Sequence, residues 1–291
     1  MKQADHTGNT EKSGCEGAGL LCVDVTVRYP GKPAVLRNCT LEVKSGEVIG
    51  LIGQSGSGKS TLALAILGLL GRQRAKVEGR ISFQGIDLLS LGEGELRNLR
   101  GRALSLVLQS PLASLNPALR VRTQLREAWR VHSCKTATKD DCEKAIRQAL
   151  MSVSLPAEDD FLDKRPSQLS VGQAQRVLIA MAVMHRPALL IADEATSALD
   201  VITQSEILKL FGSLSRETGM SILYISHDLP SVAGICRRIA ILNEGEIVEC
   251  GPTAQIFAAP AHPYTKRLMA SLPQVPARPE VTHSKAQSAA I

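Results

Sequence analysis

The run Gly53, Gln54, Ser55, Gly56, Ser57, Gly58, Lys59, Ser60 constrains this chain more than any other segment, because it fits the pattern GxxxxGK[ST] in full. Before it lies Val48 to Ile52, an apolar run whose length suits a buried strand, and after it Thr61 to Leu70 reads as a helix. Strand, glycine-rich loop and helix in that order make an anion cradle. The glycines let successive backbone N–H groups curl around phosphate oxygens, and the helix N-terminus adds partial positive charge. Lys59 is then placed to reach β and γ phosphates, and the Ser60 hydroxyl to hold Mg²⁺.

The rest of the chain supports a large α/β unit around that loop. Val23, Val25 and Val27 alternate with Asp24, Thr26 and Arg28, the period of a half-buried strand, and the turn at Pro30 to Pro33 leads to an antiparallel partner over Arg37 to Val43. Between Pro111 and Gln168 the apolar residues fall at helical spacing, as in Val121, Leu125, Ala128 and Trp129, which predicts a helical insert. Alternation returns with the apolar run Ala188 to Ala192, a helix through Ile207, Leu208, Phe211 and Leu214, a strand over Ser221 to Ile225, and a hairpin at Asn243 to Gly245. Strands that alternate with helices imply a core built on a parallel sheet. The chain divides into an N-terminal tail (1–19), a main unit (20–251) with helical insert (about 111–169), and a C-terminal extension (252–291) whose end, Val275 to Ile291, is expected to be flexible.

Composition excludes several classes. The 291 residues carry 34 Lys plus Arg against 28 Asp plus Glu, a net charge of +6, too small an excess to mark a polyanion-binding protein. With 21% charged and 44% hydrophobic residues the chain is neither disordered nor an integral membrane protein. Aromatics at 3% argue against platforms that stack nucleic-acid bases. The 7 cysteines include no CxxC pair and are odd in number, so they read as reduced thiols. Met1 to Gly19 is polar rather than secretory, and Val177 to Met184 is too short to span a bilayer, which predicts a cytoplasmic chain unless a partner holds it elsewhere.

Phosphate chemistry also needs a carboxylate near the metal, delivered from the end of a buried strand. Leu189 to Ala192 followed by Asp193 supplies it, with Glu194 placed to orient or deprotonate an attacking water. Leu169, Ser170, Val171, Gly172 and Gln173 then resemble the LSGGQ signature of the ABC ATPases. The order phosphate loop, Gln109, signature, Asp193 and Glu194, Ser197 to Asp200, His227 resembles the complete cassette over residues 20–272. That resemblance implies a P-loop NTPase core of RecA-like type with an antiparallel β subdomain and an inserted helical subdomain, and it implies ATP and Mg²⁺ as cofactors. It assigns ATP contacts to Tyr29 (adenine stacking), to the loop from Gly53 through Thr61, to Gln109 and, across a dimer, to Ser170, Gly172, Gln173 and Asp200. It assigns the metal to Ser60, Gln109 and Asp193, and catalysis to Glu194, His227 and Lys59.

Gln109 to Pro117, Val177 to Ala182, Ala198 to Val201 and Ala261 to Leu268 resemble the oligopeptide, dipeptide and nickel importer branch. The resemblance therefore implies a peripheral subunit on the cytoplasmic face of the inner membrane. Its partners would be a second, different cassette, two transmembrane permeases and, through them, an extracytoplasmic solute-binding protein, with no nucleic acid. Two other readings compete: a soluble ATP-driven clamp on nucleic acid, favoured only by the positive charge, and a regulatory cassette with a degenerate site. The second arises because Val171 stands where the signature has glycine: its N–H can still bind an anion if φ is negative, but a β-branched residue would be strained at positive φ. Ala195 likewise follows Glu194 where proline is common.

Overall fold

In a computed structural model that describes residues 19–134 and 136–271, two sheets and a helical layer enclose the glycine-rich loop. The expected tails, apart from Gly19, and Cys15 lie outside the described residues. The strands in chain order are β1 (Leu21–Arg28), β2 (Ala34–Val43), β3 (Val48–Ile52), β4 (Lys76–Phe83), β5 (Ile86–Asp87), β6 (Leu104–Val107), β7 (Leu189–Asp193), β8 (Ser221–Ser226), β9 (Arg238–Asn243) and β10 (Glu246–Pro252). The helices are α1 (Lys59–Ile66), α2 (Glu93–Leu99), α3 (Pro111–Ser114), α4 (Val121–Arg130), α5 (Lys139–Ser152), α6 (Asp159–Leu162), α7 (Val171–Val183), α8 (Val201–Thr218), α9 (Leu229–Ile235), α10 (Thr253–Ala258) and α11 (Pro263–Ala270).

One sheet runs β2-β1-β4-β5 and is antiparallel, with Val23, Val25 and Val27 buried as their alternation predicts. The other runs β10-β9-β3-β8-β7-β6 and is parallel from β9 to β6, closed at one edge by the antiparallel β9–β10 hairpin. Its central strands are apolar at nearly every position because both faces are covered. Ile49, Leu51, Ile191, Leu223 and Ile225 face α1 and the antiparallel sheet. Ile52, Leu190, Ala192, Ile222 and Tyr224 face a second core with α7 and α8. Among the described residues the insert between β6 and α7 carries no strand, as its spacing predicts. The helix after the loop is shorter than predicted: α1 stops at Ile66, and a left-handed turn at Gly68 (φ 63°) leads to a short 3-10 turn at Leu70–Gln73.

The sequence reading passed over β4, β5, β6 and α2. In β4 only Ile81 and Phe83 are buried, so its first half shows no apolar alternation. It becomes a strand by pairing with β1 along its whole length, from Lys76 opposite Arg28 to Phe83 opposite Leu21.

The helical layer is tied by charge as well as packing. The Arg122 guanidinium bridges Asp159 at 2.6 Å and Glu143 at 2.7 Å, Arg147 reaches Asp159 at 2.7 Å, and Arg126 reaches Glu143 at 2.8 Å, joining α4, α5 and α6. The hydrogen bond from Arg122, then that from Arg147, holds the Asp159 carboxyl below the usual carboxylate range. A carboxyl depressed in the folded state stabilises above its unfolded pKa of about 3.9, and that contribution is lost as pH falls through the depressed value. Thermal unfolding measured from about pH 5 to pH 3 should therefore fall more steeply for the wild type than for Asp159→Asn. Parallel curves would show that the network adds nothing.

Candidate phosphate-binding site

The loop after β3 lies against other backbone so closely that residue size is restricted. A Cβ on Gly53 would sit 2.3 Å from the Leu242 carbonyl oxygen and 2.6 Å from Ser57 Oγ. Gly58 caps α1 at φ 110°, a conformation open to glycine, and a side chain there would also strike Leu36. The loop is seated on the β9–β10 hairpin: the Gly245 N–H donates to the Ser57 carbonyl at 3.1 Å, while the Gly245 carbonyl accepts from the Arg37 N–H at 2.9 Å.

Lys59 is only 5% exposed, and its ammonium donates to the Gly53 carbonyl at 2.8 Å and the Gln54 carbonyl at 2.9 Å. Burial pulls its pKa below the ordinary lysine value, against the opposing pull of Glu194 and Asp193. A cavity of about 360 Å³ opens beside it, lined by Val35, Ser55, Gly56, Gly58, Lys59, Ser60, Thr61, Gln109 and Glu194. Asp193 ends β7 next to this cavity wall. Desolvation raises its pKa, although the Ser60 hydroxyl within hydrogen-bonding reach opposes that. Its Oδ1 is buried without a hydrogen-bond partner.

Glu194 follows in the left-handed region, φ 47°. The conformation is over-determined: its N–H donates to the Ile225 carbonyl at 2.9 Å, and its own carbonyl accepts from the Ser197 N–H and hydroxyl, both at 3.1 Å. A non-glycine residue in that region stores strain, which surrounding structure must hold. Here it turns the carboxylate off the end of β7 into the cavity. His227, after β8, places Nδ1 3.2 Å from Glu194 Oε1. Tyr29 is half-buried against the antiparallel sheet's core and does not line the cavity, although it stands at the end of β1 as expected.

The signature residues assemble elsewhere. Ser170 caps α7 in a reciprocal box with Gln173, the Gln173 N–H donating to Ser170 Oγ at 3.1 Å and the Ser170 N–H to Gln173 Oε1 at 3.0 Å. Val171 is consequently the first residue of α7, and it is not among the positive-φ residues of the described chain. Of the two alternatives at Val171, the structure takes the unstrained one. Gly172 packs against Thr203 at the start of α8, whose N-cap is Asp200; Asp200 accepts from the N–H groups of Ile202 at 3.1 Å and Thr203 at 3.0 Å. Ser170, Gly172, Gln173 and Asp200 thus gather at two adjoining helix starts, and none lines the loop cavity of the same chain.

Sequence reading missed two contributors. Val35 lines the cavity from β2. Tyr264, at the start of α11, accepts a hydrogen bond from the Gln54 N–H at 3.2 Å across 210 positions of chain. The residues around Tyr264 show a turn before a helix and a resemblance to the importer branch, with no signal of a contact to the loop. Replacing Gly53 by Ala should destabilise the chain by about 1–3 kcal/mol, through the clash with Leu242. Thermal melts check this, and an unchanged melting temperature would contradict the close approach.

Residues 36–197 match the family described as ABC transporter, and residues 248–290 match the oligopeptide/dipeptide transporter C-terminal region. The dipeptide transport ATP-binding protein DppD of Bacillus subtilis (strain 168) is 40% identical over 248 residues, covering 85% of this chain and 73% of that one. The glutathione import ATP-binding protein GsiA of Escherichia coli (strain K12) is 40% identical over 250 residues, 84% of this chain but only 40% of that longer protein. Among solved structures, the dimeric bacterial ABC transporter cassette MJ0796 superposes with a TM-score of 0.70 at 30% identity, over 80% of this chain and 98% of that one. The cbiO1 protein of Clostridium perfringens, part of the ABC transporter complex cbiONQ, gives 0.72 at 28% identity, over 84% and 92%. On these matches and the geometry of the loop, the chain belongs to the ABC transporter family, as one of its P-loop ATPase cassettes.

Proposed function

We propose that this chain is the ATP-hydrolysing subunit of a membrane importer for peptides or related small solutes. The observation that carries the chemistry is the cavity in which buried Lys59, Ser60, Gln109 and Glu194 converge beside the orphaned Asp193 oxygen. A buried carboxylate oxygen with no partner is costly unless a cation or donor completes it. Ser60, Asp193 and Gln109, all oxygen donors, therefore suit a hard divalent ion such as Mg²⁺. Bound there, the ion would neutralise charge on the phosphate oxygens.

The chain's own residues divide the remaining work. Backbone N–H groups of the loop and the α1 N-terminus hold the phosphates, and Lys59 exchanges its two carbonyl partners for phosphate oxygens. Glu194 orients or deprotonates the attacking water, with His227 beside it to fix the carboxylate and reach the terminal phosphate. The adenine rests on Tyr29. Ser170, Gly172, Gln173 and Asp200 serve the cavity of a second cassette, and the exposed apolar residues beside them, Val201 (81%), Ile202 (75%) and Val171 (39%), give that face something to bury.

The peptide-type cargo rests on the match of the C-terminal region and on the relatives' names. Coupling to permeases is supported by an apolar groove of about 360 Å³ between β6 and the helical layer, where Leu104, Leu106, Val131, Leu178 and Met181 leave room for a permease's cytoplasmic helix. Among the described residues no helix is long and apolar enough to cross a membrane. Attachment to the cytoplasmic face would therefore run through those permeases. Beyond the modest net charge of +6, no observation favours the nucleic-acid reading.

In the assembled complex, Glu194→Gln should keep MgATP binding and lose turnover by about 10²- to 10⁴-fold; wild-type turnover would remove Glu194 from the base role. Lys59→Ala should weaken MgATP binding itself in equilibrium titrations, and an unchanged affinity would overturn the cavity as the nucleotide site.

A further inference from the structure

The C-terminal extension reaches the phosphate loop through a single hydroxyl. Glu249 on β10 accepts the N–H groups of Ala261 at 2.9 Å and His262 at 3.0 Å, which fixes the turn leading into α11. His262 caps that helix by accepting the Tyr264 N–H on Nδ1 at 3.2 Å, and Pro263 occupies the first turn, where its missing N–H costs nothing. Tyr264 is thereby driven into the larger core, 6% exposed, with its hydroxyl against the Gln54 N–H at 3.2 Å.

That N–H and the Gly53 carbonyl belong to one peptide unit. Lys59 holds its oxygen end at 2.8 Å and Tyr264 its nitrogen end, so the plane is pinned from both sides. When Lys59 turns to phosphate it releases the Gly53 carbonyl, and Tyr264 is then the side chain that keeps this peptide in place. We infer that Tyr264 is a positioning residue of the nucleotide site: its hydroxyl holds the Gly53–Gln54 peptide in the orientation that the loop needs for phosphate binding, and so makes the C-terminal extension part of the ATP site. The inference rests on the reading of the loop cavity as that site.

Tyr264→Phe removes the hydroxyl and keeps the ring that packs in the core. For the full chain, titrated with MgADP, this variant should bind about three- to tenfold more weakly, the range expected for one neutral hydrogen bond. Its nucleotide-free melting should stay close to wild type. In the assembled complex the KM for ATP should rise with kcat at saturation unchanged, a split that lost packing alone would not give. Glu249→Gln, which loosens the turn without touching the loop, should shift MgADP affinity in the same direction. If Lys59→Ala loses MgADP binding while Tyr264→Phe and Glu249→Gln bind as wild type, the positioning role is overturned and the site reading stands. If Lys59→Ala also binds MgADP unchanged, both fall.

Discussion

A buried ammonium must be met by oxygen atoms, and in this chain that requirement organises the centre of the molecule. Lys59 donates to two loop carbonyls and lies within electrostatic reach of Glu194 and Asp193, which ties the start of α1 to the loop after β3 and sets it near the end of β7. The arrangement needs the loop pressed against the carbonyl of Leu242, where the chain can pass only as glycine. It also needs a sheet covered on both faces, so that the strand ends meet at one rim. The two apolar cores supply that: one under the antiparallel sheet and one under α7 and α8.

Desolvation is the common cause of the site's electrostatics. It lowers the affinity of Lys59 for its proton and raises that of Asp193, whose Oδ1 is buried without a hydrogen-bond partner. A polyphosphate with a divalent cation would suit both groups: anionic oxygens for the ammonium and a cation for the carboxylate. The strained Glu194 lines the same cavity, and His227 stands behind it with Nδ1 3.2 Å from the Glu194 carboxylate. The signature residues do not line it; they sit together at the adjoining starts of α7 and α8.

Much of this was legible in the residues. The strand, loop and helix around Gly53 to Ser60 are local, and local signals of period and turn chemistry were enough to place them. The choice between the two conformations at Val171 was also legible, because Ser170 and Gln173 stand three positions apart as a capping box, and a capping box puts the next residue inside a helix at negative φ. What the residues hid depends on distant pairing. β4 carries no alternation in its first half and is a strand because β1 is beside it. The hydroxyl of Tyr264 meets the loop only after the β9–β10 hairpin and the Glu249 turn have brought the extension back across the sheet edge.

The cassette's role in the cell depends on what it holds, and affinity capture from detergent-solubilised membranes of the native cell, with every co-purifying protein identified by mass spectrometry, tests that most directly. The account predicts recovery of two polytopic permeases and a second cassette, with the associated solute-binding protein pointing to the cargo. Recovery of the chain alone, or with nucleic acid, would contradict it.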